Sequence, residues 1–79
     1  MKLPRDLSGS TLIKHLCRRW DYRVVHQVGS HVILQTDVPG HQRLPVPEHA
    51  TLRIGTLNSI LRLVANHKRA SKEDILADL

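Results

Sequence analysis

Two residues, Gly29-Ser30, separate YRVVHQV from HVILQT. Both flanking stretches are rich in β-branched side chains, and a two-residue gap between such stretches closes a β-hairpin. Glycine in the first central position supplies the positive φ that a type II′ turn requires. The turn therefore sets the register, with Val28 opposite His31 and His26 opposite Ile33. Once that pairing is set, the remaining chain has one structural task, which is to cover a face of a small antiparallel sheet.

A third strand follows around RLPVP, reached through TDVPGHQ with its Pro39-Gly40 turn. Pro45 and Pro47 have no N–H to give to a ladder, so this strand belongs at the sheet edge. Before the hairpin, Leu12, Ile13, Leu16, Cys17 and Trp20 recur at helical spacing, with Lys14, His15, Arg18 and Arg19 off the stripe. Ser8 or Ser10 is the N-cap of this helix, because either hydroxyl can accept from an orphan backbone N–H. After the third strand, GTLNSILRLVANH places Leu57, Ile60, Leu61 and Val64 on one stripe, with Arg62 and Lys68 outside it. Ser71-Lys-Glu-Asp74 is a capping-box arrangement and opens a short helix carrying Ile75, Leu76 and Leu79. The order α-β-β-β-α, with a short additional C-terminal helix and a three-stranded antiparallel sheet, predicts an α+β fold with helices on one sheet face.

The 79 residues contain no Phe, one Trp and one Tyr, so the core of this fold has to be aliphatic. A chain of this length predicts one domain over 1–79, with its core at about 8–66 and a C-terminal helical extension at 67–79. The lone cysteine, Cys17, excludes an internal disulfide and is expected as a small buried apolar residue. No stretch approaches the ~18 consecutive apolar residues of a membrane helix, and MKLPRDLSGS has no apolar signal core, so a soluble, cytoplasmic protein is expected. Twelve Lys and Arg against seven Asp and Glu leave a formal charge of +5, which draws polyanions or an acidic protein partner. The six histidines, at 15, 26, 31, 41, 49 and 67, form no i, i+4 pair and no HExxH, and have no companion cysteine pair. No metal or cofactor is expected from that pattern.

The string GSTLIKHLCRRWDYRVVHQVGSHVILQ, followed by VPEHATLRIGTLNSILRLVA, resembles the HicA family of toxins, also called YcfA-like proteins. The family pattern has Leu-Ile-Lys on the first helix, an aromatic strand start and Arg/His-Gln-x-Gly-Ser-His. A Val-Pro strand and Gly-Thr-Leu-x-x-Ile-Leu follow. This chain carries each element in order over about residues 8 to 66. The resemblance implies an mRNA interferase, a small endoribonuclease on a double-stranded-RNA-binding-domain-like fold, silenced by a HicB antitoxin. The family's functional histidine falls on His31. Family members usually carry Gly before the first-strand aromatic, where this chain has Asp21 before Tyr22, and the NHKRASKEDILADL tail extends beyond the shortest members.

RNA carries its own nucleophile, the 2′-hydroxyl beside each phosphate. An enzyme has to remove that proton, stabilise the developing charge and protonate the leaving 5′-oxygen. Imidazole titrates near pH 6.5 and suits either proton transfer. Under the resemblance His31 is the catalytic group. Gly29 and Ser30 let an RNA backbone approach, and Lys14, Arg23 and Arg43 are candidate phosphate cations. The products are a 2′,3′-cyclic phosphate and a 5′-hydroxyl. From the residues alone, a histidine beside a hairpin turn is more often structural or incidental than catalytic, and the hairpin pairing places His31 on a face with Tyr22, Val24 and Ile33, which is a candidate for the helix-covered face. His26 is expected at the sheet surface or packed on the sheet, and His15, His41 and His67 in solvent. His49, which recurs in longer relatives under the resemblance, is a candidate RNA contact but is expected as a packing residue.

Two other functions fit parts of the chain. A non-catalytic double-stranded-RNA binder has the same element order and needs only basic residues. A helix-turn-helix DNA regulator would use KRAS as its turn, but its recognition helix would be EDILADL, which is acidic and apolar. That tail is better suited to packing on the sheet or on a partner. The expected partners are mRNA and an acidic antitoxin that masks His31 and the basic face, with no membrane.

Overall fold

In the computed structural model of the chain, the aliphatic stripes close over one face of a three-stranded sheet, and residues 3–79 are described. Met1 and Lys2, part of the single domain expected over 1–79, lie outside them. Helix α1 spans Gly9–Arg19, strands β1, β2 and β3 span Arg23–Val28, His31–Thr36 and Gln42–Pro47, and helices α2 and α3 span Ile54–Lys68 and Lys72–Leu76. The sheet is antiparallel in the order β1-β2-β3, which puts the proline-bearing β3 at an edge, as its missing donors require.

Ser8 caps α1, its Oγ accepting from the Thr11 N–H at 3.1 Å, and Arg18 and Arg19 occupy the last turn, where cations complement the helix dipole. Between α1 and β1 the chain turns through Asp21 at φ +63°. This is left-handed backbone that glycine adopts freely and that Asp tolerates better than most residues. The helix-to-strand junction thus holds a non-glycine residue in left-handed backbone.

Val32 and Leu34 of β2 and Leu44 and Val46 of β3 form the buried sheet face, covered by Leu12 and Leu16 of α1 and by Leu57, Leu61 and Val64 of α2. Thr36 on this face is fully buried, and its Oγ1 accepts from Lys68 Nζ at 2.8 Å. The same ammonium lies 4.8 Å from the centroid of the Tyr22 ring, and burial holds its pKa below the usual lysine value. Tyr22 is buried with its hydroxyl donating to Gln42 Oε1 at 2.5 Å, and burial pushes its pKa up to about 12. Strand β1 is exposed along its whole length.

The β1–β2 register corrects the expected face of His31. Val28 pairs with His31 and His26 with Ile33, as the turn dictates, but Val24 pairs with Leu34 because the register shifts between Val24 and His26. That β-bulge inserts one extra residue and reverses the side-chain alternation on one side of it. Val24 therefore stands opposite a core residue, while His31 shares the other, open face with Ile33, His26 and Val28. It does not share a face with Tyr22 and Val24.

Three further histidines depart from expectation: His49, expected to pack, is exposed, and two expected in solvent are covered. His15 is buried, and its Nε2 donates to the Ile75 carbonyl of α3 at 2.6 Å. His67 is half-buried against the Gly40 carbonyl at 2.7 Å. Helix α3 begins with the full capping box between Ser71 and Asp74 and packs on the helices rather than on the sheet. Ile75 is fully buried, and Lys72 donates to Asn58 of α2 at 2.6 Å. Leu79, placed on the same apolar stripe by the sequence, is exposed. Cys17 is half-buried against the core, and burial raises its thiol pKa.

Candidate active site

The Gly29-Ser30 turn adopts the backbone its sequence demands. Gly29 has φ +59° with open space around it, so conformation and not crowding selects glycine here. The Glu48 N–H donates to the Ser30 carbonyl at 2.6 Å, and Gln27 Nε2 donates to the Gly29 carbonyl at 3.1 Å and to Glu48 Oε1 at 3.4 Å. These bonds carry the β2–β3 pairing past its last ladder pair, His31–Pro47, and hold residue 48 against the turn. His31 is thus fixed through its backbone while its ring is exposed on the open face.

The segment after β3 is anchored from behind by α1. Gly9 N–H donates to the His49 carbonyl at 2.9 Å, and Leu52 N–H donates to the Leu7 carbonyl at 2.8 Å. Gly9 is buried, and a β-carbon there would overlap the Pro47 carbonyl oxygen and lie 3.0 Å from Glu48 Cα. Leu52 plugs the core. With its backbone held at both ends, this loop presents His49 and Arg53 as exposed side chains.

The result is a groove of about 550 Å³ along the free edge of β3. His31 stands on one wall with Pro45 and Pro47, α2 supplies the opposite wall through Thr56, Ser59 and Leu63, and His49 and Arg53 come from the loop. Among the described residues, no carboxylate lines it. A mostly apolar cleft with a few convergent polar groups is the usual form of a ligand site, and here the ionisable members are two imidazoles and a guanidinium. Such a set can hold a phosphate and move protons at it.

The other expected site residues are distributed as follows. Gly29 and Ser30 adjoin His31 in the turn. Arg23 and Arg43 flank Gln35 on either side of β2, on the same open face as His31 but four residues along the strand, about 13 Å away. Arg43 Nε donates to Gln35 Oε1 at 3.1 Å. Arg23 is paired with Asp37 at 2.9 Å, and the hydrogen bond from Arg23, then that from His41, holds the Asp37 carboxyl below its ordinary range. Lys14 lines a different cleft, between α1 and the C-terminal end, together with Arg18, Arg19 and Asp78. His26 is exposed on the open face, diagonal to His31 and outside the groove. Among the described residues, no three His, Cys, Asp or Glu side chains gather where they could hold a metal ion.

Arg53 is a groove residue that sequence reasoning did not select, and His49, expected to pack, is instead exposed in the groove. The available signal was positional, since Val-Pro-Glu-His runs straight on from a strand that must end beside the hairpin turn.

Comparison with known proteins identifies the family of the chain. The sequence profile of the family described as HicA toxin of bacterial toxin-antitoxin matches residues 9–65, well over half of the chain, including both histidines of the groove. No curated protein and no solved structure matches. No helix among the described residues is long and apolar enough to cross a membrane. The chain belongs to the HicA family, the toxins of bacterial toxin–antitoxin systems.

Proposed function

We propose that this chain is a metal-independent endoribonuclease, an mRNA interferase in which His31 removes the proton of a ribose 2′-hydroxyl. The observation that carries this reading is the exposed ring of His31 on the wall of a carboxylate-free groove that also holds Arg53. Deprotonation lets the 2′-oxygen attack the adjacent phosphorus, so RNA supplies the nucleophile and the protein supplies base, cation and alignment. The backbone of His31 is fixed by the ladder on one side and the turn on the other, which limits the motion that would misalign its ring. Arg53 is placed to neutralise the scissile phosphate. Arg43 and Arg23, farther along the same face, serve neighbouring phosphates of the strand.

The partner of such a toxin is its antitoxin. The net charge of +5 and the exposed Val28 of β1, opposite His31 on the open face, suit an acidic HicB-type protein that covers that face and masks His31.

The test is cleavage of a defined RNA by the purified chain and by His31→Ala, with the ends of the fragments identified. The wild type is expected to leave 2′,3′-cyclic phosphate and 5′-hydroxyl ends, and the variant to be slower by about 10²-fold or more. If wild type and variant both bind RNA and leave it equally intact, the protein is a double-stranded-RNA-binding module and the enzyme reading fails.

A further inference from the structure

Removal of the 2′-hydroxyl proton accounts for only half of the proton traffic in RNA cleavage. The departing 5′-oxygen is an alkoxide unless something protonates it. Of the described side chains lining the groove, His49 is the only one besides His31 that can exchange a proton near neutrality. We infer that His49, as imidazolium, is the general acid that delivers a proton to the 5′-oxygen, with the scissile phosphate held between the two rings beside Arg53. The inference rests on the ribonuclease reading above and adds a second catalytic residue to it.

The step balances. A bond forms between the 2′-oxygen and phosphorus while the bond from phosphorus to the 5′-oxygen breaks. The 2′-hydroxyl proton passes to the neutral ring of His31, and the 5′-oxygen takes a proton from the charged ring of His49. The phosphate is a monoanionic diester before and after, and both rings return to their starting states by exchange with water.

The backbone provides what a general acid needs, which is a fixed position relative to the base. Residue 48 is bonded to residue 30, residue 49 to residue 9 and residue 52 to residue 7. The strand start that carries His31 and the loop that carries His49 are therefore parts of one hydrogen-bonded unit, though 18 positions apart in sequence. The titratable or charged groups that line the groove with His49 are His31 from β2 and Arg53 from its own loop. Strand β3 contributes only Pro45 and Pro47, and α2 contributes the hydroxyls of Thr56 and Ser59. Glu48, the nearest carboxylate in sequence, is turned to Gln27 at the hairpin. No acid on these elements competes with the phosphate for the two rings. His26 shares the open face but lies outside the groove, which makes it the control.

A general acid is identified by making it unnecessary. Sulfur in place of the 5′-oxygen at the scissile linkage of an RNA oligonucleotide leaves as thiolate without a proton. His49→Asn is expected to lose about 10²-fold or more in kcat/KM on the ordinary oligonucleotide and less than about tenfold on the sulfur-substituted one. His31→Ala loses activity on both, and His26→Asn stays close to wild type on both. Wild-type activity on the oxygen linkage falls as pH rises and the acid loses its proton, and that alkaline fall is absent with the sulfur linkage. An equal loss by His49→Asn on both linkages, or no loss on either, overturns the assignment. If His49→Asn does not fold, the paired wild-type pH profiles decide, and an alkaline fall that persists with sulfur overturns the assignment equally. A wild-type chain that cleaves neither oligonucleotide refutes the ribonuclease reading itself, an outcome distinct from these.

Discussion

Gly9→Ala tests whether the close approach of α1 to the end of β3 is what aligns the groove. An added β-carbon would overlap the Pro47 carbonyl oxygen and crowd Glu48 Cα at 3.0 Å. Restoring an ordinary separation requires a displacement of about 1 Å. Both partners are backbone, so no side chain can swing away to make room. Overpacking of this kind costs about 1–3 kcal/mol, and loss of the Gly9–His49 hydrogen bond costs about 1 kcal/mol more. Alanine recovers up to about 1 kcal/mol through its higher helix propensity. The net expectation is a destabilisation of about 1–3 kcal/mol, or a fall of roughly 5–20 °C in Tm for a domain of this size.

The matched control is Gly55→Ala in the first turn of α2, where a β-carbon meets nothing within 4 Å. There the same substitution is expected to be neutral or to stabilise by about 0.5–1 kcal/mol. Thermal unfolding of both variants in a His31→Ala background measures the difference without a harmful activity. In the active chain, below its melting temperature, Gly9→Ala should also slow RNA cleavage by up to about 10²-fold, because the loop bearing His49 and Arg53 is moved by about 1 Å. If Gly9→Ala and Gly55→Ala unfold alike, the packing of α1 against Pro47 does not constrain that loop, and the argument for a pre-aligned groove is refuted.

Two further outcomes follow from buried polar groups. Tyr22, the single tyrosine, has its pKa raised by burial from 10.0 to about 12. The unfolded chain therefore ionises first, and stability that is intact below pH 10 is lost between pH 10 and about 12, by about 2–3 kcal/mol; ultraviolet titration of the tyrosinate and urea unfolding across this range measure it, and Tyr22→Phe should flatten the fall. His15→Ala removes the donor to the Ile75 carbonyl and should cost about 1–3 kcal/mol, with faster amide exchange concentrated in residues 70–79; exchange unchanged in that segment would show that the bond does not hold α3 in place.

The elements that were legible in the sequence are those written in local chemistry. The turn glycine, the caps Ser8 and Ser71, the edge prolines and the two aliphatic stripes each act over a few residues, and each has the expected place. His15 was misread for a geometric reason. Its position lies beside the α1 stripe, on a flank that would face solvent in a two-layer fold, and the C-terminal segment covers that flank as well. A periodic pattern reports the main buried face of a helix and gives no sign of a second one created by a distant segment. The bulge in β1 was equally hidden. Val24 and Val25 suit a strand in either parity, so nothing in RVVHQ marks where the alternation breaks, yet that break is what removes Tyr22 and Val24 from the face of His31.

The groove was hidden for a related reason, which also explains why it is a candidate site. His31 and His49 meet only through the β2–β3 register, in which His31 stands opposite Pro47 and residue 48 reaches back to Ser30. The two-residue turn fixes the β1–β2 register from sequence, whereas the longer β2–β3 connection around Pro39-Gly40 leaves several registers open. A slip of one residue would move every β3 side chain to the other face, putting Arg43 and Pro45 into the core and Leu44 and Val46 into water. Burial of Leu44 and Val46 therefore selects the register, and the register in turn sets the spacing between the two imidazoles. The arrangement of the groove is in this sense a by-product of where two aliphatic side chains have to be buried.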